Sequence, residues 1–325
     1  MTSAVTLVEV TRRDQRSGRE LLESSHAGTV VVVDGAGEVV WAIGDAERLT
    51  FARSVVKPFQ AAACLQLLGD EVGELTDEEV AIAWASHRAE PRHLDAVAAL
   101  LRRAATPPDD LTCPPSTGEH DPDAPAERRR YNCSGKHAMF ALAGRSVGEQ
   151  GPVLVDPDSR LQRYVLSSME RWLGPIGAVA VDGCGAPAIA VPLVALARGY
   201  ARLATDPAFE PVVRAGLAHP GLVGGEGRAE SALLAAGVVA KPGAEGVFGL
   251  AFTDDRGRPL AAAIKIEDGA GRAASEAAVA LVRSCGGPTV DWASPEPTGG
   301  GRPQGHIRAS DALVETGRAI GARSF

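Results

Sequence analysis

Short apolar runs bounded by turn-forming residues occur near both ends of the chain. Residues 30–33 and 39–43 flank the sequence DGAGE, and residues 247–253 and 260–266 flank DDRGR. Apolar runs of this length on either side of a Gly- and Asp-rich break are typical of paired strands. We therefore predict one hairpin near each end of the chain, with a further edge strand around residues 306–313.

Helical periodicity fills most of the chain between these hairpins. Residues 55–68 carry apolar positions at helical spacing. Thr76 and Glu79 have the spacing of a capping box, which predicts a second helix that runs toward Arg103. Further helices are predicted from about residue 136 and over residues 161–173, 188–203, 229–239 and 273–285, with a short strand at the sequence GAVAVDG.

Residues 104–132 lose all periodicity and are rich in Pro, Asp and Glu. A segment this long without structure of its own is usually a functional loop or a linker. Because it leads directly into Cys133, we favour an ordered functional loop. The order of elements indicates an α+β fold in one domain over residues 1–325. Its mostly antiparallel sheet would come from the N- and C-terminal parts, with a helical region over roughly residues 55–240.

Composition narrows the classes of partner and compartment. The formal net charge of −8 and the pI near 5.5 argue against a nucleic-acid or anionic-membrane partner, because both attract clustered Lys and Arg. The sequence has neither an apolar run long enough for a membrane span nor a visible secretory signal. Five scattered cysteines do not form the pattern of a disulfide framework, so we expect a cytoplasmic protein whose functional cysteines are catalytic or metal-binding.

The sequence RRRYNCSGKHAMF places Cys133 and Lys136 three residues apart at the start of an apolar segment. A phosphate-binding loop is excluded because its glycine and its final Ser or Thr are missing. Cys184, in the glycine-rich turn VDGCGAP, would supply a second soft ligand, and two sulfurs with a nitrogen suit zinc. The alternative, two buried free thiols, stays open on these residues alone.

A second candidate site lies in FARSVVKPFQ. Ser54 and Lys57 are spaced i and i+3, so they are neighbours on a helix face. Pro58 is tolerated only in a first helical turn, so the helix should begin near Ser54, where its positive end favours a developing oxyanion. A neutral lysine beside a serine is the arrangement of Ser-x-x-Lys acyl-enzymes. The alternative is a capping serine with a surface lysine.

Two further residues extend this interpretation. Lys241, in AGVVAKPGAEG, follows an apolar stretch and precedes a glycine, as in the Lys-x-Gly box of serine β-lactamase-like enzymes. Ser86 and His87 are predicted on the second helix, where Ser86 would relay a proton to a lysine. The alternative for Ser86 is a helical serine bonded back to a carbonyl. Lys265 is a rival second lysine, although its place in an edge strand favours a side chain that extends to solvent.

Taken together and in order, the motifs RSVVKPFQ, ASH, NCSGKHA, DGCGAP, GEGR, KPGAEGVFG and IKIEDGA resemble the rhizobial-type L-asparaginase family, also called the asparaginase II family. The resemblance extends from about Glu9 to Gly287. It implies a serine β-lactamase/glutaminase-like fold, a homodimer, bound zinc and hydrolysis of L-asparagine to aspartate and ammonia.

The resemblance also implies roles for individual residues. Catalytic pairs would be Ser54 with Lys57 and Ser86 with Lys241. The implied substrate-binding residues are Arg53, Asp182 and His137, and the implied zinc ligands are Cys133, Lys136 and Cys184.

The chain departs from the family pattern after Ser86-His87. Arg88 and Ala89 stand where a small residue and a glycine are usual, and this affects the geometry around Ser86. Two alternative functions remain: a glutaminase or other acyl-serine enzyme on the same scaffold, and a non-catalytic zinc-binding protein. Penicillin recognition is disfavoured, because no Ser-Asp-Asn or Tyr-x-Asn box follows the Ser-x-x-Lys.

Overall fold

The structure is a computed structural model that describes residues 5–70 and 75–323. Its strands are β1 (Val5–Arg13), β2 (Glu20–Asp34), β3 (Val39–Ile43), β4 (Leu49–Phe51), β5 (Ala178–Val181), β6 (Pro187–Pro192), β7 (Val239–Gly243), β8 (Val247–Thr253), β9 (Pro259–Ile266), β10 (Thr298–Gly299), β11 (Arg302–Pro303) and β12 (Ile307–Ala309). Its helices are α1 (Lys57–Leu68), α2 (Asp77–Ala83), α3 (Pro91–Arg103), α4 (Ser134–Ser146), α5 (Arg160–Leu173), α6 (Leu193–Thr205), α7 (Glu210–Ala218), α8 (Pro220–Val223), α9 (Ala229–Ala235), α10 (Gly271–Ser284) and α11 (Asp311–Ala322).

The contacts divide the chain into two compact units. The first, which we call the sheet unit, contains the residues up to Thr50, Pro192–Thr205 and the residues from Ala232 onward. The second, the helical unit, contains Phe51–Val191 and Asp206–Ser231. The single domain over residues 1–325 stays a prediction.

The sheet unit is built on an antiparallel sheet with the strand order β12-β1-β2-β9-β8-β7, and β3 also pairs with β2. The long strand β2 explains this arrangement. Its first half pairs with β1 and its second half pairs with both β9 and β3. The two ends of the chain therefore supply the strands of one sheet.

The strands β8 and β9 are buried along nearly their whole length. A strand buried at successive positions has both faces covered, because its side chains alternate between them. The helices α6 and α10 both contact β8 and β9, and α11 packs on α10. This packing accounts for the continuous apolar character of the sequence VFGLAF.

The helical unit is organised around α1. Ten of its residues are buried, and it contacts α4, α5 and α7. A helix apolar on all sides is expected to be surrounded by other elements. The antiparallel pair β5 and β6 completes this unit.

Much of the predicted element pattern is confirmed. The fold is α+β, both predicted hairpins form, and the Thr76–Glu79 capping box starts α2. The prediction of one long second helix is wrong. The chain leaves the helix after Ala83 and resumes helical structure only at Pro91, so Ser86 and His87 lie on the intervening irregular segment.

Three further predictions need correction. The helix predicted over residues 188–203 is strand β6 followed by α6, and the helix predicted over residues 229–239 ends at Ala235. The edge strand near residue 306 exists as β12, but α11 follows at once because Ser310 caps it by accepting a hydrogen bond from the amide of Leu313. Within residues 5–70 and 75–323, no helix is long and apolar enough to cross a membrane.

Candidate active site

Ser54 lies in a tight turn at the start of α1. Residues Arg53–Val56 form one 3-10 turn, and the α-helix continues from Lys57 with Pro58 in its first turn. The helix start predicted near Ser54 is therefore confirmed. Arg53 adopts φ +49°, a left-handed conformation that is uncommon for a residue other than glycine.

Arg53 and Asp182 come together as an ion pair. The Nε and Nη2 atoms of Arg53 each lie 2.9 Å from Oδ1 of Asp182. The same oxygen accepts a hydrogen bond of 2.8 Å from the amide of Gly183. The turn after β5 is thereby tied to the turn that carries Ser54.

Lys57 is buried and faces Ser86. Its Nζ lies 3.0 Å from Ser86 Oγ and donates a hydrogen bond of 2.5 Å to the carbonyl of Ala85. The backbone of Ser86 is held by a hydrogen bond of 2.9 Å from its amide to the carbonyl of Val223 in α8. These contacts place a serine hydroxyl against a buried amine.

The observed contact differs from the pairs that the family resemblance implies. Those pairs are Ser54 with Lys57 and Ser86 with Lys241, whereas in the structure Lys57 contacts Ser86. In the part of the chain that is described, the Ser54 hydroxyl has no hydrogen-bond partner. Lys241 is fully buried on β7 of the sheet unit, so its predicted pairing with Ser86 stays a prediction.

The rival lysine has its own backbone partners. Lys265 Nζ donates to the carbonyls of Glu245 at 2.5 Å and Ile266 at 2.8 Å. Burial lowers the pKa of Lys265, and Arg48 lowers it further. These contacts tie its side chain to its own strand, β9, and to the turn between β7 and β8. The predicted edge position is wrong, because β9 lies between β2 and β8 in the sheet.

His87 connects the Ser86 segment to the start of α4. Its Nδ1 accepts a hydrogen bond of 3.1 Å from the amide of Ala89, so the ring proton lies on Nε2, which donates to Ser134 Oγ at 2.8 Å. Ser134 in turn donates to the carbonyl of Arg129 at 2.8 Å. The amide of His87 also donates to the carbonyl of Asn132.

His93 packs against His87, with ring centroids 5.3 Å apart and nearly parallel planes. Its Nδ1 accepts from the amide of Glu90, and its Nε2 donates to the carbonyl of Gly221. Burial lowers the pKa of His87 well below its ordinary value, and burial also lowers the pKa of His93. Both rings are therefore neutral structural groups at pH 7.

The departure from the family pattern after His87 has a structural meaning. Ala89 is buried and adopts φ +64°, a conformation that glycine adopts freely. An L-residue in this conformation costs about 1–2 kcal/mol. The chain therefore keeps the backbone shape that a glycine would provide, and the Ser86 segment is held in it by the surrounding hydrogen bonds.

Cys133, Lys136 and Cys184 converge at a buried point in the helical unit. Cys133 directly precedes α4, Lys136 lies in its first turn, and Cys184 follows β5. Lys136 Nζ lies 3.0 Å from Cys184 Sγ, and the two thiols are hydrogen-bonded to each other. The five cysteines of the chain, these two included, are free.

The three side chains of this cluster shift one another's pKa values. A hydrogen bond from Cys184 lowers the pKa of Cys133 well below its ordinary value, while the same bond and burial raise the pKa of Cys184. Burial lowers the pKa of Lys136, but the two cysteines outweigh it and the net pKa is raised. The cluster thus favours one thiolate beside one ammonium group.

His137 lies next to this cluster. Its Nδ1 is 2.6 Å from Thr112 Oγ1, and its buried Nε2 has no hydrogen-bond partner among the described residues. Burial lowers the pKa of His137 well below its ordinary value, followed by the charges of Lys136 and Lys57. Sequence reasoning missed Thr112, which lies in the irregular segment before Cys133.

Thr112 also lines a cavity of about 610 Å³, together with Asp110, Arg128 and Gln150 among others. None of the predicted catalytic or metal-binding residues lines this cavity. The proposed chemistry is therefore located by side-chain contacts and not by this cavity.

The donor set suits a metal with soft ligand preferences. Within the described residues, no group of three or more His, Cys, Asp or Glu side chains is placed to hold a metal ion. Two sulfurs and the Lys136 amine do converge, however, and zinc accepts S and N donors. These three residues fit a zinc ion once Lys136 and both thiols have lost their protons.

Comparison with known proteins supports the resemblance found in the motifs. A search of curated proteins found no match. The family model for L-asparaginase II matches residues 8–309, which covers the sheet strands from β1 to β12 and the whole Ser, Lys and Cys site. The chain therefore belongs to the L-asparaginase II family, a family of amidohydrolases.

Proposed function

We propose that the protein hydrolyses L-asparagine to L-aspartate and ammonia through a seryl acyl-enzyme. The observation that carries the proposal is the buried contact between Lys57 Nζ and Ser86 Oγ, 3.0 Å long. A lysine in this setting serves as a base only when it is neutral. The carbonyl of Ala85 takes one N–H of the amine, which leaves a lone pair free to receive a hydroxyl proton.

In the proposed reaction a serine Oγ attacks the side-chain amide carbon of the substrate. Ser54 is the nucleophile expected from the Ser-x-x-Lys pattern, and Ser86 passes protons to and from Lys57. Lys57 then returns the proton to the leaving nitrogen, so that ammonia departs and an ester remains. A water molecule, deprotonated by the same amine, hydrolyses the ester. The positive end of the turn at Ser54 favours the developing oxyanion.

Arg53 and Asp182 suit the recognition of a free amino acid. A guanidinium binds the α-carboxylate and a carboxylate binds the α-ammonium group. The pair is already held together by hydrogen bonds, so little side-chain ordering is needed on binding. The predicted role of His137 in the site rests on its unpartnered Nε2.

Cys133, Lys136 and Cys184 would hold a zinc ion in the same unit as Ser54 and Ser86. When bound, zinc would supply a fixed positive charge that attracts and orients a polar substrate. Three protein ligands are the number found in open rather than structural zinc sites.

Two further proposals rest on the family resemblance alone. Lys241 would act with Ser86, and the chain would form a homodimer. Light scattering tests the homodimer by comparing the mass in solution with the 33.6 kDa of one chain.

Ammonia release from L-asparagine and from L-glutamine by the purified protein tests the activity. We expect turnover of asparagine in clear preference to glutamine. Ser54→Ala, Ser86→Ala and Lys57→Met should each lower kcat by about three orders of magnitude or more, because residues that act as a unit lose function together. Equal or faster release from glutamine would favour a glutaminase. Near-normal activity of Lys57→Met would exclude the proposed base.

A further inference from the structure

Tyr131 approaches the turn that carries Asp182 and Cys184. A methyl group built on Cα of Gly183 would lie 3.3 Å from Tyr131 Oη, so the phenol hydroxyl lies against this turn. The tyrosine backbone is fixed on both sides. Its amide donates to the carbonyl of Arg128 at 3.1 Å, and its carbonyl accepts from the amide of Ser134 at 2.8 Å.

The Tyr131 hydroxyl has no hydrogen-bond partner within residues 5–70 and 75–323, although the residue is half-buried. Gly183, which the hydroxyl faces, lies between Asp182 and Cys184 in the same turn. A polar group held against a site by a fixed backbone, with its hydrogen-bonding capacity unused by the protein, suits contact with a ligand.

The negative charge around this hydroxyl narrows the choice of ligand atom. Asp182 attracts an α-ammonium group, and an α-carboxylate is attached to the same carbon. That carboxylate must therefore come close to Asp182, the neighbour of Gly183 in the same turn, which repels it. A neutral hydroxyl donor at this position offsets the repulsion, because an O–H to carboxylate hydrogen bond is strong.

We propose that Tyr131 is a substrate-binding residue whose hydroxyl donates a hydrogen bond to the α-carboxylate of the amino-acid substrate. This inference rests on the proposed function, which names a free amino acid as substrate. It adds a recognition element that is absent from the motifs on which the family resemblance rests.

Tyr131→Phe tests the proposal, because it removes the hydroxyl and keeps the ring. The KM for L-asparagine and the Kd for L-aspartate, measured by calorimetry, should each rise about tenfold or more, while kcat stays within about twofold. Zinc content and Tm should be unchanged. Tyr164→Phe, on α5, is the matched control and should change none of these values.

A second variant separates the hydroxyl from the general shape of the turn. Gly183→Ala places a methyl group 3.3 Å from Tyr131 Oη and should also raise KM. In the Tyr131→Phe background, Gly183→Ala should raise KM by a smaller factor, because the hydroxyl oxygen that the methyl group would displace is absent. Additive effects of the two changes would overturn the proposal.

Different results would overturn the proposed function and the proposed role of Tyr131. If the wild type does not release ammonia from L-asparagine, the proposed function fails, and aspartate binding still tests Tyr131. If the wild type is active and Tyr131→Phe leaves both KM and the aspartate Kd unchanged, the inference is overturned while the function stands. Loss of zinc or of thermal stability in Tyr131→Phe would also overturn it, because either result would assign the hydroxyl a structural role.

Discussion

Two residues with left-handed backbone conformations lie beside the two candidate serines. Arg53, with φ +49°, directly precedes Ser54, and Ala89, with φ +64°, lies three residues after Ser86. Backbone strain of this kind persists only where the surrounding structure holds it, and it clusters at functional sites. Here the ion pair of Arg53 with Asp182 holds the first. The turn that carries Ser54 is therefore held by a side-chain contact within the helical unit.

The buried histidine pair makes the protein sensitive to mild acid. Burial lowers the folded-state pKa of both His87 and His93, so below about pH 6.5 the unfolded chain binds more protons than the folded chain. Their contribution to the free energy of unfolding is complete above that pH. It is lost as the pH falls from about 6.5 toward the folded-state values, by at most roughly 1.4 kcal/mol per pH unit for each histidine.

Urea unfolding at pH 7.5, 6.5 and 5.5, in the presence of chelator so that metal release does not contribute, measures this loss. Between pH 6.5 and 5.5, the free energy of unfolding should fall less steeply in His93→Gln than in the wild type. A free energy of unfolding that is constant over this range would contradict the expected role of the pair.

At the residue scale, the spacing of Ser54 and Lys57 was visible in the sequence, whereas the contact of Lys57 with Ser86 was not. The i, i+3 spacing identified Ser54 and Lys57. The contact of Lys57 with Ser86 joins residues 29 positions apart and depends on the chain leaving the helix after Ala83. No local pattern encodes that exit, because the amides of Ser86 and His87 are satisfied by distant carbonyls at Val223 and Asn132.

At the scale of elements, the site depends on the close approach of α4 to α2. A methyl group on Gly135, in the first turn of α4, would lie 2.1 Å from the carbonyl oxygen of Ile82 in α2. Only glycine permits this distance. On one side of the contact lie Cys133 and Lys136, and on the other the chain continues to Ser86.

Gly135→Ala should therefore reduce both stability and activity. The methyl group must push the two helices apart, which we expect to cost about 1–3 kcal/mol in the free energy of unfolding. Gly271→Ala is the control, at the exposed start of α10. A methyl group there would meet none of the described residues within 4 Å apart from its chain neighbours and its own helix, so stability should change by less than about 0.5 kcal/mol. Chemical denaturation and ammonia release measure both quantities. A Gly135→Ala protein as stable and active as the Gly271→Ala control would show that this contact does not position the site.

The accuracy of the element predictions follows from what each pattern encodes. Hairpins with clear turn sequences and the capped start of α2 were predicted correctly, because their signals are local. Strand β6 was predicted as helix, since the apolar run PAIAVPLVALA continues without a break into α6. An apolar run of this kind fits a buried strand and a buried helix equally, and only the pairing of β6 with β5 decides.

At the scale of the whole molecule, the chain brings its two ends into one sheet and places the proposed metal ligands in the other unit. The helical unit has a substantial apolar core of its own, in which Phe59, Trp84 and Phe140 are almost completely buried. Such a core supplies folding free energy without a metal. We therefore propose that the predicted zinc ion serves substrate binding and not the fold.

Chelation should consequently lower activity while the protein stays folded. We expect purified protein to carry about one zinc ion per chain, because the three donors Cys133, Lys136 and Cys184 converge on a single site. Cys184→Ala should lose the metal with a change in Tm of less than about 4 °C, whereas Cys285→Ala, a buried cysteine in the sheet unit, should retain it. Added zinc should restore the activity of the chelated wild type but not that of Cys184→Ala.

Affinity for zinc should fall as the pH is lowered, because both thiols and the amine must lose protons to bind it. Elemental analysis, circular dichroism and ammonia release check these outcomes, and a chelated protein that unfolds, or a Cys184→Ala protein with its full zinc content, would contradict them.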